Sequence, residues 1–314
     1  MHLKFNYILI SCRWLVLLVA PTPYISLYIL SVSDPGIITP QNHEKHLQLF
    51  PYDNIIFTPG VLCPTCNFTK PARSKHCSAC NVCVARHDHH CVWIGNCVGY
   101  SNTDLFVLFL LVNTSLLAYG AYLHYLIFSH RVAQIRLLQR QTIASFGSAL
   151  HYVRLRSTSQ LWWSAIIEAE LGGALFLICI MICIVTTAFL LHHLWLLSSG
   201  TTTNESFKWA DVKDALSSGI IVVLDQDDEY MRGRKSRIIP LDPPMEDEEP
   251  ETPREEAMRL DLAQNTERGA REWKQIDNVY ASESKWRNLV DGIRGGHVEP
   301  MWERPRRRWF KRKA

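Results

Sequence analysis

The sequence predicts an α-helical integral membrane protein: a bundle of transmembrane helices with a zinc-binding, cysteine-rich domain on the cytosolic side between spans. Three observations carry this prediction. Apolar residues concentrate in three blocks, 5–32, 105–128 and 171–197, each near the roughly 20 residues needed to cross a hydrocarbon core. Seven of the ten cysteines fall at positions 63–97, together with His76, His87, His89 and His90, a density whose common cause is metal binding. The last third of the chain is strongly charged and reads as a tail. A formal net charge of +3 over 314 residues gives no pointer to nucleic acid, and none is expected as a partner.

Residues 1–33 form the expected N-terminal transmembrane segment. Arg13 is the only charge within 5–32, and Pro21 and Pro23 predict a kink or break near the middle. A cleaved signal peptide is the alternative, but its apolar core is shorter, so a retained anchor is the expectation. Ser33-Asp34-Pro35-Gly36 closes the block with turn chemistry. Residues 34–103 are then the cysteine-rich domain, entered through irregular, polar sequence at 37–62. The next expected elements are a transmembrane helix at 104–128, a lumenal loop at 129–163 and a transmembrane helix at 164–199. In this last span Cys179 and Cys183 read as packing residues, and His192 and His193 as interfacial residues without a catalytic role. Residues 200–314 form the tail, partly disordered around the acidic, proline-rich run 245–250.

Paired CxxC thiolates beside histidines need a reducing compartment, which puts the cysteine-rich domain in the cytosol. A disulfide framework is the rival, and histidine at ligand spacing argues against it. Two spans separate the domain from the tail, so both lie on the same side. The expected lumenal loop carries Arg131, Arg136, Arg140, Arg154 and Arg156, against the positive-inside tendency, and here the redox argument outweighs that tendency.

Two tetrahedral zinc sites need eight ligands. Cys3His twice uses six of the seven clustered cysteines and two of the four histidines, leaving one thiol. Cys91, in Asp88-His89-His90-Cys91, lies among acid and imidazole, where a thiol is activated as a nucleophile and an aspartate can fix the tautomer of its base. Spacing alone leaves open which cysteine is spare and which histidines ligate.

The run Cys63-x-x-Cys66, Lys70-Pro71-x-Arg73-x-x-His76-Cys77-x-x-Cys80-x-x-Cys83, Asp88-His89-His90-Cys91-x-Trp93-x-x-Asn96-Cys97-x-Gly99 resembles the DHHC protein S-acyltransferases (palmitoyltransferases) over residues 61–106. The resemblance implies one zinc on Cys63, Cys66, His76 and Cys83, and a second on Cys77, Cys80, His90 and Cys97. Cys91 would be the acyl-accepting nucleophile, His89 its general base and Asp88 the group orienting His89. Lys70, Arg73 and Lys75 would face the phosphates of coenzyme A. His87 receives no role and reads as an exposed neighbour. Val92 stands where many members carry proline. That variant and the lead-in at 51–57 are similar to the fungal subgroup named for spore-wall formation. Members usually have four spans, and three are legible here.

Past the last span, Thr201-Thr202-Thr203-Asn204-Glu205 is a polar exit from the membrane in which Thr203 or Asn204 could cap a helix. Thr202-Thr203-x-Glu205 resembles the family's TTxE motif, whose polar groups brace the catalytic region. The aromatic-bearing piece at 276–289 is expected to be ordered. The basic run 304–313, with Trp309 and Phe310 interleaved, suits an anionic membrane surface. The function implied is transfer of a long-chain acyl group from palmitoyl-CoA, through Cys91, to cysteines near the transmembrane spans of membrane proteins. Two structural Zn2+ ions and an endoplasmic reticulum membrane location go with it. The rival reading, a membrane-anchored zinc module such as a ring-type ubiquitin ligase, gives no reason for the surplus Cys91 or for the polar motif after the last span.

Overall fold

Two long helices carry the second and third apolar blocks in the computed structural model. It describes residues 17, 19–146, 156–217, 221–224, 237–240, 278, 280–282 and 284–293. Residues 1–16 of the expected N-terminal segment, the acidic run 245–250 and the basic run 304–313 lie outside the described residues. Ala20 and Pro21 form a turn, and helix α1 (Thr22–Val32) begins after it, so the two prolines interrupt the first block. After the short helix α2 (His43–Leu47) come two hairpins, β1 (Lys75–Cys77) with β2 (Val82–Val84) and β3 (His89–Cys91) with β4 (Asn96–Val98). Then follow α3 (Thr103–Phe146), α4 (Thr158–Glu168), α5 (Glu170–Ser198) and α6 (Thr203–Ser217). A hairpin of β5 (Ile221–Leu224) and β6 (Arg237–Pro240) precedes α7 (Lys285–Ile293).

Among the described residues, α3 and α5 are the two helices long and apolar enough to cross a membrane. Their apolar side chains are largely open rather than buried: Leu171, Met181, Ile184 and Val185 are each more than 60% exposed, as lipid-facing residues would be. The helix boundaries differ from the expectation. Residues 129–146 continue α3 because they contain neither proline nor glycine, so the helix outlasts its apolar stretch and reaches about 66 Å. The expected span 164–199 is two helices, with Ala169 leaving the helical conformation between α4 and α5. Within the expected loop 129–163, residues 129–146 and 158–163 are therefore helix, and 147–155 lie outside the described residues. Its second helix is started by a reciprocal cap, in which Ser157 Oγ accepts from the Gln160 amide and Gln160 returns a bond to the Ser157 amide.

The chain divides into two compact units, Met1–Leu27 with Val107–His192, and Tyr28–Phe106 with His193–Ala314. In the first, Phe128, Val132, Leu161, Ala165 and Phe176 form a core, and Tyr125 stacks on Trp162 with ring centroids 5.6 Å apart. Gly173 permits the turn from α4 into α5, since a β-carbon there would lie 2.2 Å from the Ile166 carbonyl oxygen. Three of the arginines that count against positive-inside bias have local partners: Arg131 pairs with Glu168, Arg136 donates to Thr158 and Arg156 to Ser164.

The second unit is built on the hairpins and their caps. Asp34 Oδ1 accepts the amides of Gly36 and Ile37, closing the turn that follows α1. Asn96 Nδ2 donates to the carbonyls of Leu30, Ser31 and Ser33, satisfying the end of α1. Gly99 lets two backbones approach: a β-carbon would sit 2.5 Å from Pro35 O and 2.6 Å from a Val84 methyl.

Candidate active site and metal-ligand groups

Each CxxC turn is shaped by its own backbone. The Cys66 amide points at Cys63 Sγ (3.4 Å) and the Cys80 amide at Cys77 Sγ (3.5 Å). The residue after each pair is an asparagine with positive φ, Asn67 at 57° and Asn81 at 56°, a conformation asparagine tolerates better than most residues. The hairpin registers then complete two clusters. His76 lies opposite Cys83 across β1–β2, and His90 opposite Cys97 across β3–β4. The outcome is two separate groups, Cys63/Cys66/His76/Cys83 and Cys77/Cys80/His90/Cys97, each able to hold a metal ion.

The distances fit zinc. Bond lengths of about 2.3 Å to sulfur and 2.05 Å to nitrogen in a tetrahedron put sulfur and nitrogen about 3.6 Å apart and two sulfurs about 3.8 Å apart. His76 Nδ1 lies 3.6, 3.4 and 3.8 Å from Cys63, Cys66 and Cys83. His90 Nδ1 lies 3.6, 3.4 and 3.6 Å from Cys77, Cys80 and Cys97, and Cys80 and Cys97 are 3.6 Å apart. Four protein ligands at each position leave no open coordination site.

Strand β3 separates metal binding from the seventh thiol. Successive side chains of a strand face opposite ways, so His90 reaches the second metal group while His89 and Cys91 share the other face. Asp88 Oδ2 accepts from His89 Nδ1 at 2.6 Å, which fixes the tautomer and leaves Nε2 for Cys91. Asp88 is itself held by Thr203, whose amide donates to Oδ1 (2.7 Å) and whose hydroxyl donates to Oδ2 (2.8 Å).

The electrostatics follow from these contacts. Burial alone would raise Asp88, but the bonds from His89 and Thr203 prevail and hold it at about 2. Burial alone would lower His89, but Asp88 and Cys91 raise it to about 9. Burial would raise the Cys91 thiol, yet the hydrogen bond with His89 and the amides of Ile94 and Trp93 bring it below its ordinary value. The arrangement favours a thiolate beside an imidazolium.

Thr202, Thr203 and Glu205 are drawn to this centre from more than a hundred residues away. Thr202 caps α6: its hydroxyl accepts the Glu205 amide and Glu205 accepts the Thr202 amide, so TTxE is physically a capping box. The cap is Thr202, rather than the expected Thr203 or Asn204. Thr202 also donates to the His87 carbonyl. Glu205, 1% exposed, makes a bidentate pair with Arg73, both bonds 2.6 Å. Arg73 further donates to Gly200 O and lies over the rings of both Phe50 and Tyr280, 5.1 and 4.5 Å from their centroids. The tail closes over it. Tyr280 donates to Pro51 O, Asn278 to Ser199 O, Asn288 to Ser198 O, and Arg86 to Gly292 O at the end of α7.

Arg73 is therefore not the phosphate-facing cation expected from the sequence: its guanidinium is buried, with Nε and Nη2 committed to Glu205 and the Gly200 carbonyl. Lys75 is exposed and Lys70 half-buried. Both line a cleft of about 640 Å³ whose walls also include Phe57, Lys208, Asp88 and His89. Lys208 was not singled out from the sequence. It lies 4.1 Å over the Phe57 ring and donates to Ile56 O, and burial lowers its pKa. His87 is not an exposed neighbour; it is 4% exposed, and burial lowers it to about 4. His193 is not simply interfacial either. It is 5% exposed, with Nδ1 4.0 Å from Asp88 Oδ2. The only sequence signal for it is a histidine pair ending an apolar run.

Comparison with known proteins agrees with this geometry. Residues 56–210 match the DHHC palmitoyltransferase family model. The chain is 42% identical over 197 residues to palmitoyltransferase swf1 of Schizosaccharomyces pombe, covering 60% of this chain and 48% of that protein. It is 32% identical over 223 residues to palmitoyltransferase SWF1 of Saccharomyces cerevisiae, covering 71% and 56% respectively. Over 84 residues it is 51% identical to palmitoyltransferase ZDHHC4 of Bos taurus, covering 27% of this chain and 24% of that protein. The chain thus spans about half the length of the fungal relatives it matches. With two Cys3His ligand sets, the Asp88–His89–Cys91 arrangement and the Thr202–Glu205 cap in place, residues 56–210 are identified as a DHHC palmitoyltransferase domain, similar to that of the fungal Swf1 palmitoyltransferases.

Proposed function

We propose that the chain is a protein S-palmitoyltransferase that moves a long-chain acyl group from palmitoyl-CoA through Cys91 to cysteine thiols of membrane proteins. The observation that carries this reading is the Asp88–His89–Cys91 relay, held by Thr203 and kept apart from the two Cys3His ligand sets. In the first step the Cys91 proton rests on His89 Nε2 and the sulfur attacks the thioester carbonyl. The carbonyl–sulfur bond to coenzyme A breaks, and the leaving thiolate takes the proton from His89. In the second step a substrate thiol gives its proton to His89 and attacks the Cys91 thioester. Cys91 leaves as the thiolate and the imidazolium stays beside it. Asp88 offsets the imidazolium charge whenever His89 holds the proton.

Two bound Zn2+ ions would supply structure, because both ligand sets are closed. Cys63, Cys66, His76 and Cys83 would hold one, and Cys77, Cys80, His90 and Cys97 the other. Lys70 and Lys75, in the cleft that His89 also lines, suit the phosphates of coenzyme A. The acyl chain stays in lipid at about 0.8 kcal/mol per methylene. This agrees with a bilayer protein whose catalytic domain faces the cytosol, at the endoplasmic reticulum membrane, with residues 129–163 on the lumenal side. Its substrates are then membrane proteins with cysteines near their spans. Nothing in the geometry favours a ubiquitin ligase. The test is incubation of the purified chain with labelled palmitoyl-CoA. The wild type takes up a hydroxylamine-sensitive label and Cys91→Ala takes up none; label retained in Cys91→Ala would overturn the reading.

A further inference from the structure

Asp88 faces a second imidazole that the relay above does not use. His193, near the end of α5, is buried, with Nδ1 4.0 Å from the Asp88 oxygen that accepts the His89 proton. Its ring centroid lies 5.6 Å from that of His89, and both rings pack edge-on against Phe106, at 5.0 Å and 5.3 Å. Phe106 is 2% exposed, so this three-ring cluster has a fixed wall. Thr203 restrains Asp88 from α6, and His193 approaches the same carboxylate from α5.

We infer that His193 is a positioning residue for acyl transfer, holding the Asp88 carboxylate and the His89 ring in the geometry that presents Nε2 to Cys91. The inference rests on the reading of Cys91 as nucleophile. Its physical content is twofold. The ring limits rotation of His89 away from Cys91, and the nitrogen beside Asp88 Oδ2 adds a polar contact to a carboxylate that must stay ionised. A reacting pair is sensitive to displacements well under 1 Å, so loss of such a wall lowers rate before it lowers stability.

The test uses the 314-residue chain in detergent and measures labelling of Cys91 by palmitoyl-CoA, with melting temperature and zinc content followed in parallel. His193→Ala and His193→Phe are expected to acylate about tenfold more slowly with zinc content unchanged. His193→Asn places an amide where Nδ1 stood and is expected to return to within about threefold of wild type. A wild-type rate in His193→Phe would reduce the residue to packing and overturn the inference, as would His193→Asn acylating as slowly as His193→Ala. If the alanine variant does not fold, the comparison of Asn with Phe decides alone. Retention of label by Cys91→Ala would instead sink the nucleophile assignment, a result the His193 variants cannot produce.

Discussion

Removing Glu205 should damage the protein far more than an acidic residue after a membrane span suggests. Its carboxylate is 1% exposed and its partner Arg73 5%, so neither charge is screened by water. Truncating one member of such a pair leaves the other buried and uncompensated, at a cost of about 3–5 kcal/mol. Three contacts soften the loss for Arg73: the Gly200 carbonyl and the faces of Phe50 and Tyr280. One aggravates it. Arg73 sits at a φ of 64°, a strain the pairing now offsets. The Thr202 amide also loses its acceptor. We expect Glu205→Ala near 3 kcal/mol, or roughly a 6–12 °C fall in melting temperature for a unit of this size. The assay is thermal unfolding in detergent, with Arg73→Gly and the double variant completing the cycle. The glycine removes the positive-φ strain together with the charge. The double variant should recover part of the loss, with a coupling of at least about 2 kcal/mol. A fall below 2 °C for Glu205→Ala, or additivity within about 0.5 kcal/mol, would refute the reasoning.

Four further outcomes follow from the same geometry. Thr203→Val removes the hydroxyl on Asp88 Oδ2 but keeps the amide on Oδ1, so Cys91 acylation should slow by about five- to tenfold with zinc retained, measured by single-turnover labelling. Alkylation of Cys91 by iodoacetamide should proceed at pH 7 in the wild type and move to higher pH in His89→Gln, because the bond with His89 is what lowers the thiol. Cys91 releases the proton that His89 takes, so near neutrality the pair contributes little pH dependence to stability. In Cys91→Ala, with His89 still raised by Asp88, that compensation is lost. The His89 contribution is then fully present below about 6.5 and disappears as pH climbs through its folded value, so the melting temperature should fall as pH rises past 6.5. Finally, Cys63→Ser or a strong chelator should abolish acylation by releasing the first metal group, and zinc quantification should show the loss preceding unfolding of the hairpins.

What was legible in the sequence was whatever is local. The CxxC spacing and the Asp88–Cys91 run lie within 35 residues and point to metal and thiol chemistry, but the division into two ligand sets depends on hairpins that pair His76 with Cys83 and His90 with Cys97, which spacing leaves open. Helix ends were less legible because an apolar run marks where lipid could be, not where backbone hydrogen bonding stops. α3 runs on through Arg136 and Arg140 for want of a breaker. Long-range partners left no local trace. Arg73 resembles any exposed cation beside a metal knuckle until Glu205, 132 residues later, is folded against it. His193 likewise has no periodicity or motif that would tie it to Asp88, and the hairpin of β5 and β6 lies in a stretch whose sequence marks only a charged tail.

The alternation of side chains along β3 bears on chemical selectivity. A domain with seven thiols in 35 positions would offer a reactive thioester many sites of attack. The six on the ligand faces would be masked as metal thiolates, and the one turned the other way is the one His89 would activate. A metal-replete chain should therefore carry a single acyl group. A metal-starved one should become less selective, accepting more than one acyl group while turning over none, so label stoichiometry reports the state of the metal groups.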